Sequence, residues 1–89
     1  MGAQGAATAQ KPVGTVTHFF GKINVAIVLL TEKLQTGYTV RFKGHTTDFE
    51  QKVTSLQLEH AGIPAGDPGQ EVGVLVQQHV REGDQVFRI

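Results

Sequence analysis

The stretch from Val53 to Val76, VTSLQLEHAGIPAGDPGQEVGVLV, holds two apolar segments separated by a turn. Its first half places Val53, Leu56 and Leu58 at spacings of three and then two. That spacing predicts a strand with one extra residue between Val53 and Leu56, as a β-bulge would leave. We therefore expect these three side chains to point into a core.

The rest of this stretch indicates a turn followed by a second strand. Residues 61–69, AGIPAGDPG, are rich in glycine and proline, so we expect neither helix nor strand there. After the turn, Val72, Val74 and Val76 alternate with polar or outward positions. Alternation of this kind puts the three valines on one face of a strand, and that face should be core.

Composition limits the possible functions. The chain has 89 residues, no cysteine, and eight basic and eight acidic residues, so its formal net charge is zero. We expect one small domain over residues 13–89, without disulfides or a cysteine-based zinc site. Balanced charge creates no overall attraction to nucleic acid or to a membrane surface. Any contact with RNA would have to be local.

The start of the chain and its longest apolar run bear on localisation. Residues 1–12 offer almost nothing large to bury, so we expect a flexible N-terminal tail. The run from Val25 to Leu30 is far shorter than the ~20 residues of a membrane span, and the N-terminus lacks the features of a signal peptide. The expectation is a cytoplasmic protein that does not enter membranes.

The segment from Val25 to Leu30, VAIVLL, is apolar on both faces of the strand it predicts. One face should fill the core, and the other needs a cover. The cover is either another part of this chain, such as the region of Phe19, or a partner. The sequence leaves both alternatives open.

Three basic residues lie on the two predicted strands before Val53. Tyr38 to Lys43 alternates cleanly, which places Arg41 and Lys43 outward, and residues 44–48 should turn the chain into a hairpin. If Val53 points inward, Lys52 points outward beside them. Nearby acidic residues favour a solvated face of mixed charge, and the alternative is a set of phosphate contacts.

Six predicted strands with glycine-rich turns and no helical period favour an all-β fold. For so small a sheet we expect closure into an antiparallel barrel, because closure removes exposed edges. The spacing of the strands thus predicts a six-stranded antiparallel β-barrel.

Five short motifs of this chain occur in the same order in domain 2 of the translational GTPases. They are Val13-Gly14-Thr15-Val16, Leu34-x-x-Gly37-Tyr38-x-Val40-x-Phe42, Val53-x-x-Leu56, Gly66-x-x-Gly69-x-x-Val72-Gly73-Val74 and Gly83-Asp84-x-Val86. Over residues 13–89 the chain resembles the β-barrel of elongation factor Tu and its relatives. It also resembles the small barrel appended to the C-terminus of U32-type peptidases. The resemblance implies a six-stranded Greek-key barrel of the translation-protein kind.

The resemblance implies binding rather than catalysis. The translational GTPases carry a GxxxxGK[ST] loop, whereas the one Gly-Lys pair here, Gly21-Lys22, is followed by Ile23. We therefore expect no nucleotide and no other cofactor. The main hypothesis is a translation-related module that binds tRNA or ribosomal RNA, and the alternative is a protein-interaction or homo-oligomerisation module, as in the U32-type peptidases.

The elongation-factor resemblance also implies a binding patch. That barrel holds the aminoacyl end of tRNA with an outward acidic residue and an outward leucine, and the matching positions here are Gln57 and Leu75. Strand alternation agrees that both side chains face outward. Arg41, Lys43 and Lys52 would supply phosphate contacts.

Catalysis has little support in the sequence. The four histidines, His18, His45, His60 and His79, lie far apart along the chain, and there is no cysteine nucleophile or ligand. We expect no catalytic residue and no metal site. A salt titration would separate the two binding hypotheses, since RNA affinity falls steeply with salt and that of an apolar interface does not.

Overall fold

The computed structural model of the chain describes residues 11–89, which form ten strands and contain no helix. The strands are β1 (Lys11–Phe20), β2 (Val25–Leu30), β3 (Leu34–Gln35), β4 (Thr39–Lys43), β5 (Asp48–Lys52), β6 (Leu56–Leu58), β7 (Ala61–Ile63), β8 (Ala65–Gly66), β9 (Glu71–Leu75) and β10 (Gln85–Arg88). The prediction of an all-β fold is confirmed. Nothing in residues 11–89 forms a helix long and apolar enough to cross a membrane.

Eight of these strands form one antiparallel sheet in the order β5-β4-β10-β1-β2-β9-β6-β7, and β3 pairs with β8 separately. Strand pairing within residues 11–89 leaves β5 and β7 as the two edges of the large sheet. The finer prediction of a closed six-stranded Greek-key barrel is therefore not confirmed. The number of strands is also larger than predicted.

The extra strands come mainly from the segment rich in glycine and proline. We expected no strand in residues 61–69, and this was wrong: β7 pairs with β6, and β8 pairs with β3. Pro64 lies between β7 and β8 and belongs to neither strand. Its missing N–H therefore removes no hydrogen bond from either short ladder. Gly66 is required here because a Cβ atom would lie 2.7 Å from a side-chain carbon of Leu30.

The core lies on the inner face of the sheet. Its fully buried large side chains include Leu30, Leu34, Val40, Phe42, Val53, Leu56, Val72 and Val74. The predicted inward phases of the fourth and ninth strands are confirmed, and in the second strand the residues facing the core are Ala26, Val28 and Leu30. Val76 is also buried, and Leu58 is half-buried against the core.

The register of β1 shifts twice, between Pro12 and Gly14 and between Val16 and His18. The first irregularity, at Val13, brings Val13 into the core together with Val16 although the two are three residues apart. The strand begins at Lys11, opposite Arg88, so the last two residues of the predicted tail are paired. Residues 1–10 of that tail lie outside the described residues.

One buried polar side chain joins distant parts of the sheet. Gln51 is 5% exposed, and its side-chain amide donates to the carbonyl of Leu75 at 2.8 Å. Its side-chain oxygen accepts from the N–H of Gln77, also at 2.8 Å. The side chain thus links the edge strand β5 to the end of β9, in place of strand pairing.

Candidate functional site

An apolar surface occupies the outer side of the sheet around β2. We call it the outer apolar face, and its members are Phe20, Ile23, Val25, Ile27, Leu29 and Leu75. The strand register gathers them, because Val25 pairs with both Phe20 and Leu75. Ile23 is 62% exposed, Phe20 50%, Leu75 44% and Leu29 40%. Side chains of this size are seldom exposed together.

The second face of β2 is therefore only partly covered by the chain itself. Phe19, the cover considered from the sequence, packs against the core and meets His79 edge-on, with 4.7 Å between ring centroids. Val25 and Ile27 are half-buried, whereas Leu29 remains exposed. This placement favours the alternative of a surface for a partner.

A groove of about 220 Å³ opens into the outer apolar face. Phe20, Ile23, Val25 and Ile27 form its apolar part. Gly73 lies among them because β9 pairs with β2 at Ile27. A Cβ atom at Gly73 would come within 3.2 Å of a Val25 methyl group, so the groove depends on glycine at this position.

Polar side chains complete the lining of the groove. They are Gln57, Glu59, His60 and Glu71. Glu71 also accepts a 3.3 Å hydrogen bond from the Thr17 hydroxyl. Two of these residues are acidic, and no lysine or arginine of residues 11–89 lines the groove.

Glu59 and His60 form the turn between β6 and β7 with unusual backbone angles. Their φ values are 52° and 68°, and the flanking residues Leu58 and Ala61 pair across the hairpin. Two-residue hairpins with both φ values positive normally use Asn-Gly or Asp-Gly. Larger residues in this conformation are strained, and such strain concentrates at functional positions.

The two residues taken from the elongation-factor resemblance lie close together. Gln57 pairs with Gly73 on β9. Leu75 lies two residues after Gly73 on the same strand and on the same outer face. Both are exposed, as strand alternation predicted. Gln57 lines the groove and Leu75 belongs to the outer apolar face. Sequence reasoning missed the groove itself, although a glycine at an outward strand position was a usable signal.

Two of the three predicted cations, Arg41 and Lys43, lie elsewhere in the sheet. Lys52 lies near Leu75, because the Gln51 side-chain amide contacts the backbone carbonyls of both, at 3.3 and 2.8 Å. Arg41 and Lys43 are on β4, Lys52 is on β5, and β10, β1 and β2 separate β4 from β9 in the strand order. Arg41 donates two hydrogen bonds to Asp48, at 2.7 and 3.0 Å, and Lys43 lies 3.5 Å from the same carboxylate. These contacts fit the mixed-charge face considered from the sequence. None of the three lines the groove formed by the described residues.

The ion pair of Arg41 and Asp48 shifts the pKa values of both side chains. The hydrogen bond from Arg41, helped by the charges of Arg41 and Lys43, lowers the pKa of the Asp48 carboxyl below its ordinary range. The same contact raises the pKa of Arg41. The pair therefore stabilises the charged carboxylate.

Asp48→Asn is expected to lower the melting temperature slightly at about pH 7 and not at all at about pH 2. Because the folded-state pKa is lowered, the carboxylate contributes stability above its unfolded-state pKa, and this is lost as the pH falls through the folded-state pKa. Thermal melts at the two pH values measure the effect, with Glu32→Gln as a control that removes another exposed carboxylate. A difference that persists at about pH 2 would assign the effect to something other than the ion pair.

The histidines do not form a catalytic group among the described residues. His18 lies 3.5 Å from Glu82 at an exposed position, His79 packs against Phe19, and His60 lies at the groove. Within residues 11–89, no three histidine, aspartate or glutamate side chains are grouped so that they could hold a metal ion.

Comparisons with known proteins found similarity to a protease and to a domain of a peptidase. The chain is 37% identical over 76 residues to an uncharacterized protease of Methanocaldococcus jannaschii. The match covers 84% of this chain but 19% of the protease, so the chain spans about a fifth of that relative. No protein-family model matches the chain.

Two solved structures of one domain share this fold. The C-terminal domain of a Geobacillus thermoleovorans protein described as a U32 peptidase aligns with a TM-score of 0.84 and 20% identity. The alignment covers 89% of this chain and 92% of that domain. Its selenomethionine variant aligns with a TM-score of 0.81, also at 20% identity, over 85% of this chain and 96% of that one. The chain has the fold of this domain.

These findings correct the resemblance to elongation factor Tu that the sequence motifs indicated. They support the likeness to the appended domain of U32-type peptidases. They give no support to elongation factor Tu or to a role in translation. Small β domains with glycine at their turns share spaced motifs, because the turns need glycine whatever the domain binds.

Proposed function

We propose that this chain is a non-catalytic protein-interaction module of the kind appended to U32-type peptidases. It binds its partner through the outer apolar face. The observation that carries this proposal is the cluster of exposed apolar side chains around β2, among them Ile23 at 62% exposure and Leu29 at 40%.

The composition of this face fits a protein interface. A single exposed leucine is ordinary on a protein surface, but Phe20, Ile23 and Leu29 lie on one side of one sheet. Interfaces have an apolar centre from which charged residues are depleted, surrounded by a polar rim. Glu59, Glu71 and the groove amide Gln57 supply such a rim.

The partner in this proposal is the catalytic part of a U32-type peptidase. Supporting it are the 37% identity to a segment of the Methanocaldococcus jannaschii protease and the likeness to a C-terminal domain. In this proposal Gln57 and Leu75 contact protein rather than the end of a tRNA. Arg41 and Lys43 belong to the face of mixed charge, where Asp48 neutralises them in part.

We also propose that the sheet works as a barrel, closed by a side chain. Gln51 bonds to backbone groups of both Leu75 and Gln77, which is what a neighbouring strand would do at this seam. This closure would hold β9, and with it the groove, in a fixed position. It keeps the outer apolar face rigid before a partner binds, which lowers the entropic cost of binding.

The fluorescently labelled chain is expected to bind the Methanocaldococcus jannaschii protease from which the matching 76-residue segment has been deleted. Binding should be saturable and much less dependent on salt than RNA binding, because the interface is mainly apolar. Leu29→Glu should weaken binding about tenfold or more, because it places a carboxylate on the outer apolar face beside Glu71. Fluorescence anisotropy at two salt concentrations measures both effects.

Two controls make this experiment decisive. Ile89→Glu changes another exposed apolar residue, 38% exposed, that lies outside the outer apolar face, and it should leave binding unchanged. The full-length protease should bind more weakly, since its own segment occupies the site. Absence of saturable binding below about 100 μM would reject this partner. Salt-sensitive binding to tRNA instead would favour the RNA hypothesis.

A further inference from the structure

We propose that the groove over Gly73 receives one large apolar side chain from a protein segment in which lysine or arginine flanks that side chain. The inference names the chemistry of the partner segment, and it rests on the proposed function only in taking the partner to be a protein. Four observations carry it: the size of the groove, its walls, its charge and the backbone of its rim.

The size of the groove selects a side chain rather than a whole small molecule. Its volume of about 220 Å³ lies below the ~300–1,000 Å³ of pockets that enclose drug-sized ligands. Phe20 and Ile23 line the groove together with Glu59 and His60 of the β6–β7 turn. One anchoring side chain suits such a space.

The walls require that side chain to be apolar. Val25 and Ile27 lie beside Gly73, and the backbone of Gly73 is itself buried. Phe20 and Ile23 are largely exposed and would lose this exposure when a side chain enters between them. Burial of apolar area on both partners drives this contact.

The charge of the rim determines what flanks the anchor. Glu59 and Glu71 are the charged residues of the lining, and none of the lysine or arginine residues in 11–89 contributes to it. Neither carboxylate has an ion-pair partner within residues 11–89. The rim is therefore complementary to a cationic segment, and it repels an acidic one.

The backbone of the β6–β7 turn supports a role for Glu59. Glu59 and His60 are kept in left-handed conformations, with φ values of 52° and 68°, where Asn-Gly would be relaxed. An Asn-Gly turn would present no carboxylate at the rim, and an Asp-Gly turn would present one on a shorter side chain. The strained turn therefore places the Glu59 carboxylate at the edge of the groove.

The experiment titrates the isotopically labelled full chain with three blocked pentapeptides and follows backbone amide resonances. The first peptide is Gly-Lys-Phe-Lys-Gly, the second replaces both lysines by glutamate, and the third replaces phenylalanine by alanine. We expect the first peptide to shift the amides of Gly73, Gln57 and Ile27. It should bind roughly tenfold more tightly than the acidic peptide, since two exposed ion pairs together supply about that factor.

Variants of the rim test the charge preference directly. Glu59→Gln and Glu71→Gln should each reduce the preference for the basic peptide about twofold to fivefold. Glu71→Gln keeps an oxygen for the Thr17 hydroxyl, so that hydrogen bond survives. Glu50→Gln, which removes an exposed carboxylate on β5, should leave the preference unchanged.

Variants of the walls test the anchor. Gly73→Val fills the groove and should abolish binding of the first peptide, but it also crowds Val25. Ile23→Ser avoids that problem because Ile23 is 62% exposed, and it should weaken binding of the phenylalanine peptide without changing the ratio between basic and acidic peptides.

Three results would overturn the proposal. The first is equal binding of basic and acidic peptides, and the second is equal binding of the phenylalanine and alanine peptides. The third is a dimer, detected by sedimentation, that the basic peptide does not dissociate, because a second copy would then occupy the groove. If the protease binds but the peptides show no preference, only this inference fails; if the peptides behave as expected and the protease does not bind, only the partner is wrong.

Discussion

Val74→Asp is expected to abolish folding of the chain. Val74 is 1% exposed, and it lies between Ala26 and Leu56 of the neighbouring strands. An unpaired carboxylate there would have to be buried without a partner or be protonated, and either is costly. A domain of this size has a stability of roughly 4–13 kcal/mol, so one such charge can remove most or all of it.

Circular dichroism during thermal unfolding measures this effect. Gln77→Asp is the matched control, because Gln77 is exposed and its contact with Gln51 uses the backbone N–H, which the substitution keeps. The control should change stability by less than about 0.5 kcal/mol. Equal destabilisation by the two substitutions would mean that the strand phase of β9 is wrong.

Gln51→Leu is expected to destabilise the chain by about 2–5 kcal/mol. Leucine has a similar size but cannot replace the hydrogen bonds to the carbonyl of Leu75 and the N–H of Gln77. Each of these partly buried backbone groups costs up to about 1–3 kcal/mol when it is left without a partner. Urea denaturation measures the loss of free energy of unfolding.

Two further variants test the reason for this loss. Gln51→Glu can still accept from the N–H of Gln77 but cannot donate to Leu75, so it should also be destabilising. Gln78→Leu changes an exposed glutamine nearby and should have little effect. If Gln51→Leu left the free energy of unfolding unchanged, the hydrogen bonds of Gln51 would not be what holds β5 to the end of β9.

Strand alternation predicted part of the core from the sequence. Val40 and Phe42 on β4, and Val72 and Val74 on β9, are buried as their spacing indicated. Such patterns are readable because every second residue of a half-buried strand faces the core. The same rule placed Gln57 and Leu75 on the outside.

The short strands and the groove could not be predicted in this way. Two or three residues, as in Ala65–Gly66, are too few to show a period. Two register irregularities in β1 also break its alternation and hide the shared burial of Val13 and Val16. The groove depends on which strands become neighbours of Gly73, and one strand's own sequence does not contain that information.

The sequence around Gln51 carries a signal of its burial. Gln51 lies midway between Phe49 and Val53, both buried, so alternation alone assigns it to the inside. A polar residue at an inward position must find partners for its amide. The spacing of these three residues therefore indicates a polar link within the core, although it does not name the partners.

The position of β10 in the sheet affects how the domain folds during synthesis. Residues 85–88 are the last of the ten strands to leave the ribosome, yet β10 joins the β4–β5 hairpin to β1. Until these four residues emerge, β1 and β4 each present an unpaired edge to other chains. The nascent domain is thus exposed to aggregation until β10 has left the ribosome, and the pairing of β10 is a late event in folding.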